Sequence, residues 1–136
     1  MKALQKWMAG ALLAGMASVA LAQTTGVTRT EVLKGDVSVP GREAVISHVT
    51  IVPGGKLGWH THPGDEISYV ESGVLTLLVD GKPTEQVPAG KGFIVETGHV
   101  HSARDDGATP VELVTVHVVA KGQPLATPAA APASAQ

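Results

Sequence analysis

Two pairs of histidines carry most of the chemistry that this sequence could perform. The stretch GWHTHPGDE, residues 58–66, places His60 and His62 two residues apart, before a Pro-Gly dipeptide and two acids. The stretch GHVHS repeats the same spacing with His99 and His101. On a β-strand, side chains at positions i and i+2 point to the same face. Each pair therefore presents two imidazoles together if its segment is extended.

A turn after the first pair would bring an acid back beside it. Pro63-Gly64 fits the centre of a type II turn, in which Pro sets φ and Gly accepts a positive φ. The reversal would place Glu66 beside the first histidine pair, and two nitrogens with one carboxylate suit a divalent first-row metal. One histidine of the second pair could add a further nitrogen. On spacing alone, a chance pair of surface or core histidines is the alternative.

The composition restricts the remaining function classes. A length of 136 residues suggests one domain. The sequence has no cysteine, which excludes a thiol nucleophile and thiolate metal ligands. It has no basic patch, so neither nucleic acid nor an anionic membrane surface is expected as a partner. A small molecule is the expected partner.

Residues 1–22 predict a secretory signal peptide. Lys2 and Lys6 precede an uncharged apolar run, and Ala20-Leu21-Ala22 places small residues where a signal peptidase reads. The run is short for a membrane span, which needs about 20 residues, although an uncleaved N-terminal anchor is the alternative. Cleavage after Ala22 would give a periplasmic or secreted protein with no stable membrane association.

The chain after Ala22 is predicted to be all-β. Apolar and β-branched runs are separated by Gly, Pro and Asp at short intervals, and Asp80-Gly81 indicates a hairpin with a type I′ turn. Many short, evenly spaced strands favour a sandwich or a small barrel. The predicted strands are Arg29–Leu33, Ala44–Val52, Leu57–Thr61, Ile67–Glu71, Val74–Val79, Thr84–Val87, Gly92–Val95, Val100–Ala103 and Val111–Val119.

The domain is predicted to cover residues 23–120 and to be followed by a flexible tail. Residues 121–136, KGQPLATPAAAPASAQ, are rich in Pro and Ala, with almost no charge and no aromatic residue. The alternative is a short arm that Leu125 holds against a neighbouring surface.

The order of glycines, histidines and acids resembles the two sequence motifs of the cupin superfamily. The positions of the first motif are all matched, by Gly54, His60, His62, Glu66 and Gly73. The second motif is matched in part, by Gly90, Gly98 and His101. Glu96 stands where that motif usually has Pro, and Asp105 stands where it usually has Asn. The resemblance covers about residues 44–119.

The resemblance implies a double-stranded β-barrel of the jelly-roll type and a bound divalent metal. The family ligands fall on His60, His62, Glu66 and His101, and iron, manganese, nickel, copper and zinc all accept such a set. The implied function is a metal-dependent dioxygenase or a related enzyme acting on a small organic substrate. A non-catalytic module that binds a small ligand or a metal is the alternative, because the fold alone does not decide function. Single-domain members are commonly dimers, so a homodimer is also implied, with the strand Val111–Val119 as a means of association.

Four further polar residues are candidates for lining a pocket. His48 and His117 alternate with neighbours on strand faces, so each either lines the barrel interior or is a hydrogen-bonded wall residue. His99 either lines the mouth or faces solvent. Glu96 is either a general base or a solvated rim acid. Strand alternation places Trp59 on the face opposite His60.

Overall fold

The computed structural model describes residues 23–133, so the predicted signal peptide lies outside the described part of the chain. Within residues 23–133 no helix is long and apolar enough to cross a membrane. This part forms β-strands, as the alternating runs predict. In chain order they are β1 Thr25–Asp36, β2 Arg42–Lys56, β3 His60–Thr61, β4 Gly64–Ser72, β5 Val74–Val79, β6 Glu85–Pro88, β7 Gly92–Val95, β8 His101–Arg104, β9 Val111–Ala120 and β10 Thr127–Pro128.

The strands form two antiparallel layers that join along one side. The first layer has the order β1-β2-β9-β4-β7, and the second has the order β6-β5-β8-β3-β10. At the end of β2, Lys56 pairs with Arg104 of β8 and connects the layers. The result is a nearly closed antiparallel barrel, which confirms the predicted double-stranded β-barrel.

The barrel interior changes from apolar to polar along its strands. On β9, Val111 and Leu113 lie in the apolar core, whereas Thr115 and His117 are buried polar side chains further along the same face. Strand β4 shows the same change in the opposite direction, because its buried Glu66 precedes the core residue Val70. The apolar end therefore stabilises the barrel, and the polar end is available for a site. The core consists of Val49, Ile51, Val70, Leu75, Leu77, Val79, Val87, Val95, Ala103, Val111 and Leu113.

Two turn predictions are wrong in detail. Gly64 does not have a positive φ, so Pro63-Gly64 is not the centre of a type II turn. Glycine is needed there because a Cβ would collide with the carbonyl oxygen of Val118 on the adjoining β9. The hairpin between β5 and β6 is confirmed, but only Gly81 of Asp80-Gly81 has a positive φ, whereas a type I′ turn needs one at both residues.

The segment predicted as a flexible tail is partly built into the second layer. Thr127 and Pro128 form β10 against β3, and the N–H of Ala129 donates to the carbonyl oxygen of Trp59 at 2.8 Å. The prediction of a free tail is therefore wrong for these residues, because their pairing uses backbone atoms that a Pro- and Ala-rich composition does not reveal. Residues 123–129 are called the C-terminal arm below.

The outer face of the first layer carries a continuous row of aliphatic side chains. Cross-strand pairing places Leu33, Ile46, Val116, Ile67 and Ile94 side by side across five strands. Three of them are well exposed, Leu33 at 52%, Ile67 at 45% and Ile94 at 60%. This outer row is an apolar surface on the side of the sheet that faces away from the core.

Candidate metal centre

The four predicted ligands meet at the polar end of the barrel. His60, His62, Glu66 and His101 each offer one ligand atom, and these atoms lie within 4.8 Å of one another. His60 on β3 pairs directly with His101 on β8, while Glu66 comes from β4 in the other layer. The cluster therefore forms only when the two layers have closed on each other.

Each of the three histidines has its Nδ1 atom against a backbone carbonyl oxygen. A carbonyl can only accept a hydrogen bond, so each Nδ1 carries the proton and donates it. In a neutral imidazole the opposite nitrogen, Nε2, then has a lone pair for a metal. The donations run from His60 to Gly58 at 2.7 Å, from His62 to Leu125 at 2.6 Å and from His101 to His99 at 2.9 Å.

The carboxylate of Glu66 lies against the Nε2 atoms of His62 and His101. Its Oε2 is 3.1 Å from Nε2 of His62 and 3.3 Å from Nε2 of His101. Its Oε1 accepts a hydrogen bond from the hydroxyl of Ser68 at 2.7 Å, which fixes the plane of the carboxylate. Burial raises the pKa of Glu66, but its contacts with His101, His117 and His62 outweigh burial and hold the pKa well below the usual range. The group is therefore an anion.

Without a proton or a cation between them, the Nε2 atoms and the carboxylate of this cluster are hydrogen-bond acceptors that face one another. Burial, with repulsion from His101, lowers the pKa of His60 to about 4, so this imidazole is neutral at ordinary pH. Neutral imidazoles whose Nδ1 proton is already donated have only a lone pair to offer at Nε2. Such lone pairs and a carboxylate repel each other unless a proton or a cation lies between them. The donor set thus fits a divalent metal ion.

A fourth imidazole lies behind the cluster. His117 on β9 is fully buried, and its Nε2 is 3.3 Å from Nε2 of His62 and 3.5 Å from Oε2 of Glu66. Burial lowers its pKa, and the neighbouring carboxylate opposes that effect. Among residues 23–133, its Nδ1 has no hydrogen-bond partner. Of the two positions that the sequence leaves open for His117, the structure shows the barrel interior.

The other three candidate pocket residues lie away from the cluster. His48 is on the outer face of β2, 3.0 Å from Glu71, because its neighbours Ser47 and Val49 take the inward positions. His99 and Glu96 lie in the turn before β8, where their side chains are exposed and 3.7 Å apart. His48 is thus a hydrogen-bonded wall residue, which is one of the two positions that the sequence leaves open. The side chains of His99 and Glu96 face solvent.

A cavity of about 690 Å³ opens beside the histidines. His60 and His62 are among its lining residues, and the C-terminal arm contributes Leu125, Ala126 and Pro128. Trp59 also lines this cavity, contrary to the strand-alternation prediction. Alternation does not apply to it, because β3 begins only at His60 and Trp59 lies in the bend before it.

Sequence reasoning missed three groups that build the site. These are the hydroxyl of Ser68, the carbonyl of Leu125 and the guanidinium of Arg29, which lines the cavity. Arg29 and Val27 alternate on β1 and pair with the buried Val49 and Ile51 of β2. That alternation was the one available sign that Arg29 points inward. The carbonyl of Leu125 leaves no comparable sign in the sequence.

The comparisons with known proteins agree with the fold. The model of the family described as "Cupin domain" matches residues 47–117, about half of the chain. No curated protein matches the chain. Solved structures similar to it include a conserved protein with a double-stranded β-helix domain from Klebsiella pneumoniae subsp. pneumoniae MGH 78578. Its identity is 21% and its TM-score 0.61, over 90% of this chain and 100% of that one.

Two similar structures are enzymes by their descriptions. The polyketide cyclase RemF from Streptomyces resistomycificus has 17% identity and a TM-score of 0.64, over 93% of this chain and 89% of that one. A recombinant oxalate oxidase in complex with glycolate has 25% identity and a TM-score of 0.61, over 75% of this chain. The match spans only 54% of the oxalate oxidase chain. At identities below 25%, such likeness shows the fold alone.

Proposed function

The chain belongs to the cupin domain family, and from this premise we propose that it binds one divalent metal ion through His60, His62, Glu66 and His101. The observation that carries the proposal is the convergence of acceptor atoms described above. Three Nε2 atoms and an ionised carboxylate face one point, and each Nδ1 is already committed to a backbone carbonyl. Imidazole and carboxylate ligands suit iron, manganese, nickel, copper or zinc.

We propose further that the metal centre acts on a small organic substrate, as a dioxygenase or a related enzyme. When bound, the metal supplies Lewis-acid polarisation and a fixed point that orients the substrate. The chain supplies a cavity of about 690 Å³, which is within the range of small-molecule sites. Leu57, Trp59 and Leu125 line this cavity and would shield a bound molecule from water. The likeness to part of an oxalate oxidase, at 25% identity over 75% of this chain, favours an enzyme.

A non-catalytic ligand-binding module is the second candidate. One observation favours it: among the described residues that line the cavity, no acid or base stands beside the ligand histidines except Arg29. A metal-loaded protein that binds small phenolics or diketones without consuming oxygen or changing them would support this candidate. Turnover of such a compound, lost on metal removal, would support the enzyme.

Export to the periplasm or the cell exterior is also proposed. Its support is the sequence pattern of residues 1–22, with its basic start, apolar run and small residues at 20 and 22.

Substitution of His101 and His99 tests the metal centre with a matched control. His101→Ala removes a buried ligand, whereas His99→Ala removes an exposed side chain and keeps the backbone carbonyl that orients His101. We expect metal content to fall sharply in the first variant and to stay near that of the wild type in the second. A metal that binds only the folded state adds about 2.7 kcal/mol to the free energy of unfolding when the free metal is at a hundredfold excess over Kd.

The measurements are metal stoichiometry by elemental analysis and melting temperature with and without a chelator. The chelator should lower the melting temperature of the wild type and of His99→Ala, and should change His101→Ala much less. Full metal occupancy in His101→Ala would contradict the proposed ligand set. Loss only in His99→Ala would mean that the second motif is placed two residues out of register.

A further inference from the structure

A single guanidinium enters the cavity beside the proposed metal ligands. Arg29 lies on β1 opposite the buried Val49, so its side chain is on the inner side of the first layer. It lines both the large cavity and a small inner recess that it shares with His60, Glu66 and His101. Its Nη1 donates to the hydroxyl of Thr115 at 3.1 Å. The hydroxyl of Thr115 thus fixes one end of the guanidinium, while Arg29 as a whole is exposed to the solvent that fills the cavity.

Within the described chain, Arg29 forms no ion pair with a carboxylate. Arg104 differs, because its Nε lies 2.8 Å from Asp106. Partial burial lowers the pKa of Arg29, and electrostatic attraction by the nearby Glu66 carboxylate raises it. A guanidinium has N–H donors on three nitrogens, and Thr115 takes only one of them. The remaining donors are available to a molecule in the cavity.

The charges around the cavity favour an anion. A divalent ion and Arg29 together outweigh the one carboxylate of Glu66, so the metal-loaded site has a net positive charge. The rest of the cavity wall is mainly apolar, with Val27, Leu57 and Trp59 among its residues. A ligand without a hydrogen-bond acceptor would cover the guanidinium and leave its donors unpaired, which is costly for a charge that the ligand buries. A carboxylate matches the planar fork of the guanidinium with two parallel hydrogen bonds.

We propose that the cavity binds a small monocarboxylate with an apolar body, and that Arg29 holds its carboxylate. This deepens the proposed function, on which it rests, by naming the class of substrate or ligand. Trp59 and Leu57 contact the apolar body, and Thr115 keeps the guanidinium oriented toward the ligand. Arg29 thereby determines specificity, since it distinguishes an acid from the corresponding amide or alcohol.

Benzoate and its uncharged analogue benzamide serve as matched probes. Their dissociation constants are measured by calorimetry on the zinc-loaded chain and on metal-free chain prepared with a chelator and then dialysed. The variants are Arg29→Gln, which removes the charge, and Arg29→Lys, which keeps the charge but loses the planar fork. Arg104→Gln is the control, because it removes an arginine that does not line the cavity. Zinc stoichiometry and melting temperature are recorded for each protein.

We expect the wild type to bind benzoate more tightly than benzamide in both metal states. Arg29→Gln should weaken benzoate binding by at least about tenfold and leave benzamide binding unchanged. The benzoate affinity of Arg29→Lys should lie between those of the wild type and Arg29→Gln, and the affinity of Arg104→Gln should match that of the wild type. Zinc stoichiometry should be the same in all four proteins.

The two metal states separate this inference from the metal proposal. If the chain binds no zinc but the metal-free form prefers benzoate through Arg29, the metal proposal fails and the carboxylate site stands. If zinc binds but Arg29→Gln and Arg29→Lys keep the full preference for benzoate, the carboxylate site is overturned and the metal proposal stands. A preference that appears only with zinc and does not depend on Arg29 would assign the carboxylate to the metal alone, which also overturns the inference.

Discussion

Removal of the C-terminal arm should weaken metal binding although it removes no metal ligand. A chain that ends at Gly122 lacks the carbonyl of Leu125, which accepts the Nδ1 proton of His62 at 2.6 Å. It also lacks β10, which pairs with the β3 residues Thr61 and His60. The backbone bonds of Ala120 and Lys121 to the barrel remain, since both residues precede the cut. The barrel itself should therefore still fold.

The size of the effect follows from the position of His62, which is only 4% exposed. Loss of the hydrogen-bond partner of a metal-ligating histidine typically costs 10- to 100-fold in metal affinity. The shortened chain also opens the cavity, so that water can take the place of the lost carbonyl. We therefore expect the lower end of that range, about tenfold, or about 1.4 kcal/mol.

The assay is competition with a chelator of known zinc affinity, followed at equilibrium for each chain. Two controls separate the carbonyl from the rest of the arm. A chain that ends at Ala130 keeps the hydrogen bond between Ala129 and Trp59. The variant Leu125→Ala keeps the backbone carbonyl but removes most of the side chain that lines the cavity. Both should bind zinc like the full chain. Unchanged affinity in the chain ending at Gly122, or an equal loss in Leu125→Ala, would refute the role assigned to the carbonyl.

Three further predictions follow from the sequence and the fold. Intact mass of the exported protein should correspond to a chain that begins at Gln23; the full-length mass in a membrane fraction would contradict signal-peptide cleavage. The outer row should associate with the same row of a second copy, so light scattering should give a dimer for the wild type and a monomer for Ile67→Lys and for Ile94→Lys. A wild type that stays monomeric over a wide concentration range would contradict this. Finally, hydrogen bonds from Arg104 and Thr76 lower the pKa of Asp106. A lowered pKa stabilises the fold above the usual aspartate range, and this effect is lost as the pH falls through the folded-state value. In urea unfolding, Asp106→Asn should thus be less stable than the wild type at pH 7, by less than about 1 kcal/mol because the pair is exposed. The difference should vanish in acid, and a difference that persists there would rule out ionisation as its cause.

Much of the barrel could be predicted because its signals are local. The strands Val74–Val79 and Gly92–Val95 are observed with the predicted bounds. Asp80-Gly81 ends the first run, and Pro88-Ala89-Gly90 precedes the second. Strand β1 was predicted only as Arg29–Leu33 but extends over Thr25–Asp36. Most of its residues are exposed, so an outer strand of this kind shows little of the apolar alternation on which the prediction depended.

The site could be predicted in its ligands but not in the groups that support them. The spacing of His60, His62 and Glu66 is local, and the family resemblance adds His101. The partners of these residues depend on which strands meet in three dimensions. The carbonyl of Leu125 reaches His62 across 63 positions of the chain, and any residue type could supply that carbonyl. Arg29 needs the pairing of β1 with β2 before its direction is known.

The position of β9 within the first layer has a consequence for the order of folding. This strand lies between β2 and β4, and its pairing joins residues as distant as Arg42 and Ala120. Until β9 is present, one edge of β2 and one edge of β4 remain unpaired. The polar end of the barrel also lacks the buried side chains of Thr115 and His117. Barrels built from such non-local pairs fold slowly. During synthesis the chain should therefore remain unfinished until residue 120 has emerged, which suits the proposed passage across a membrane before folding is complete.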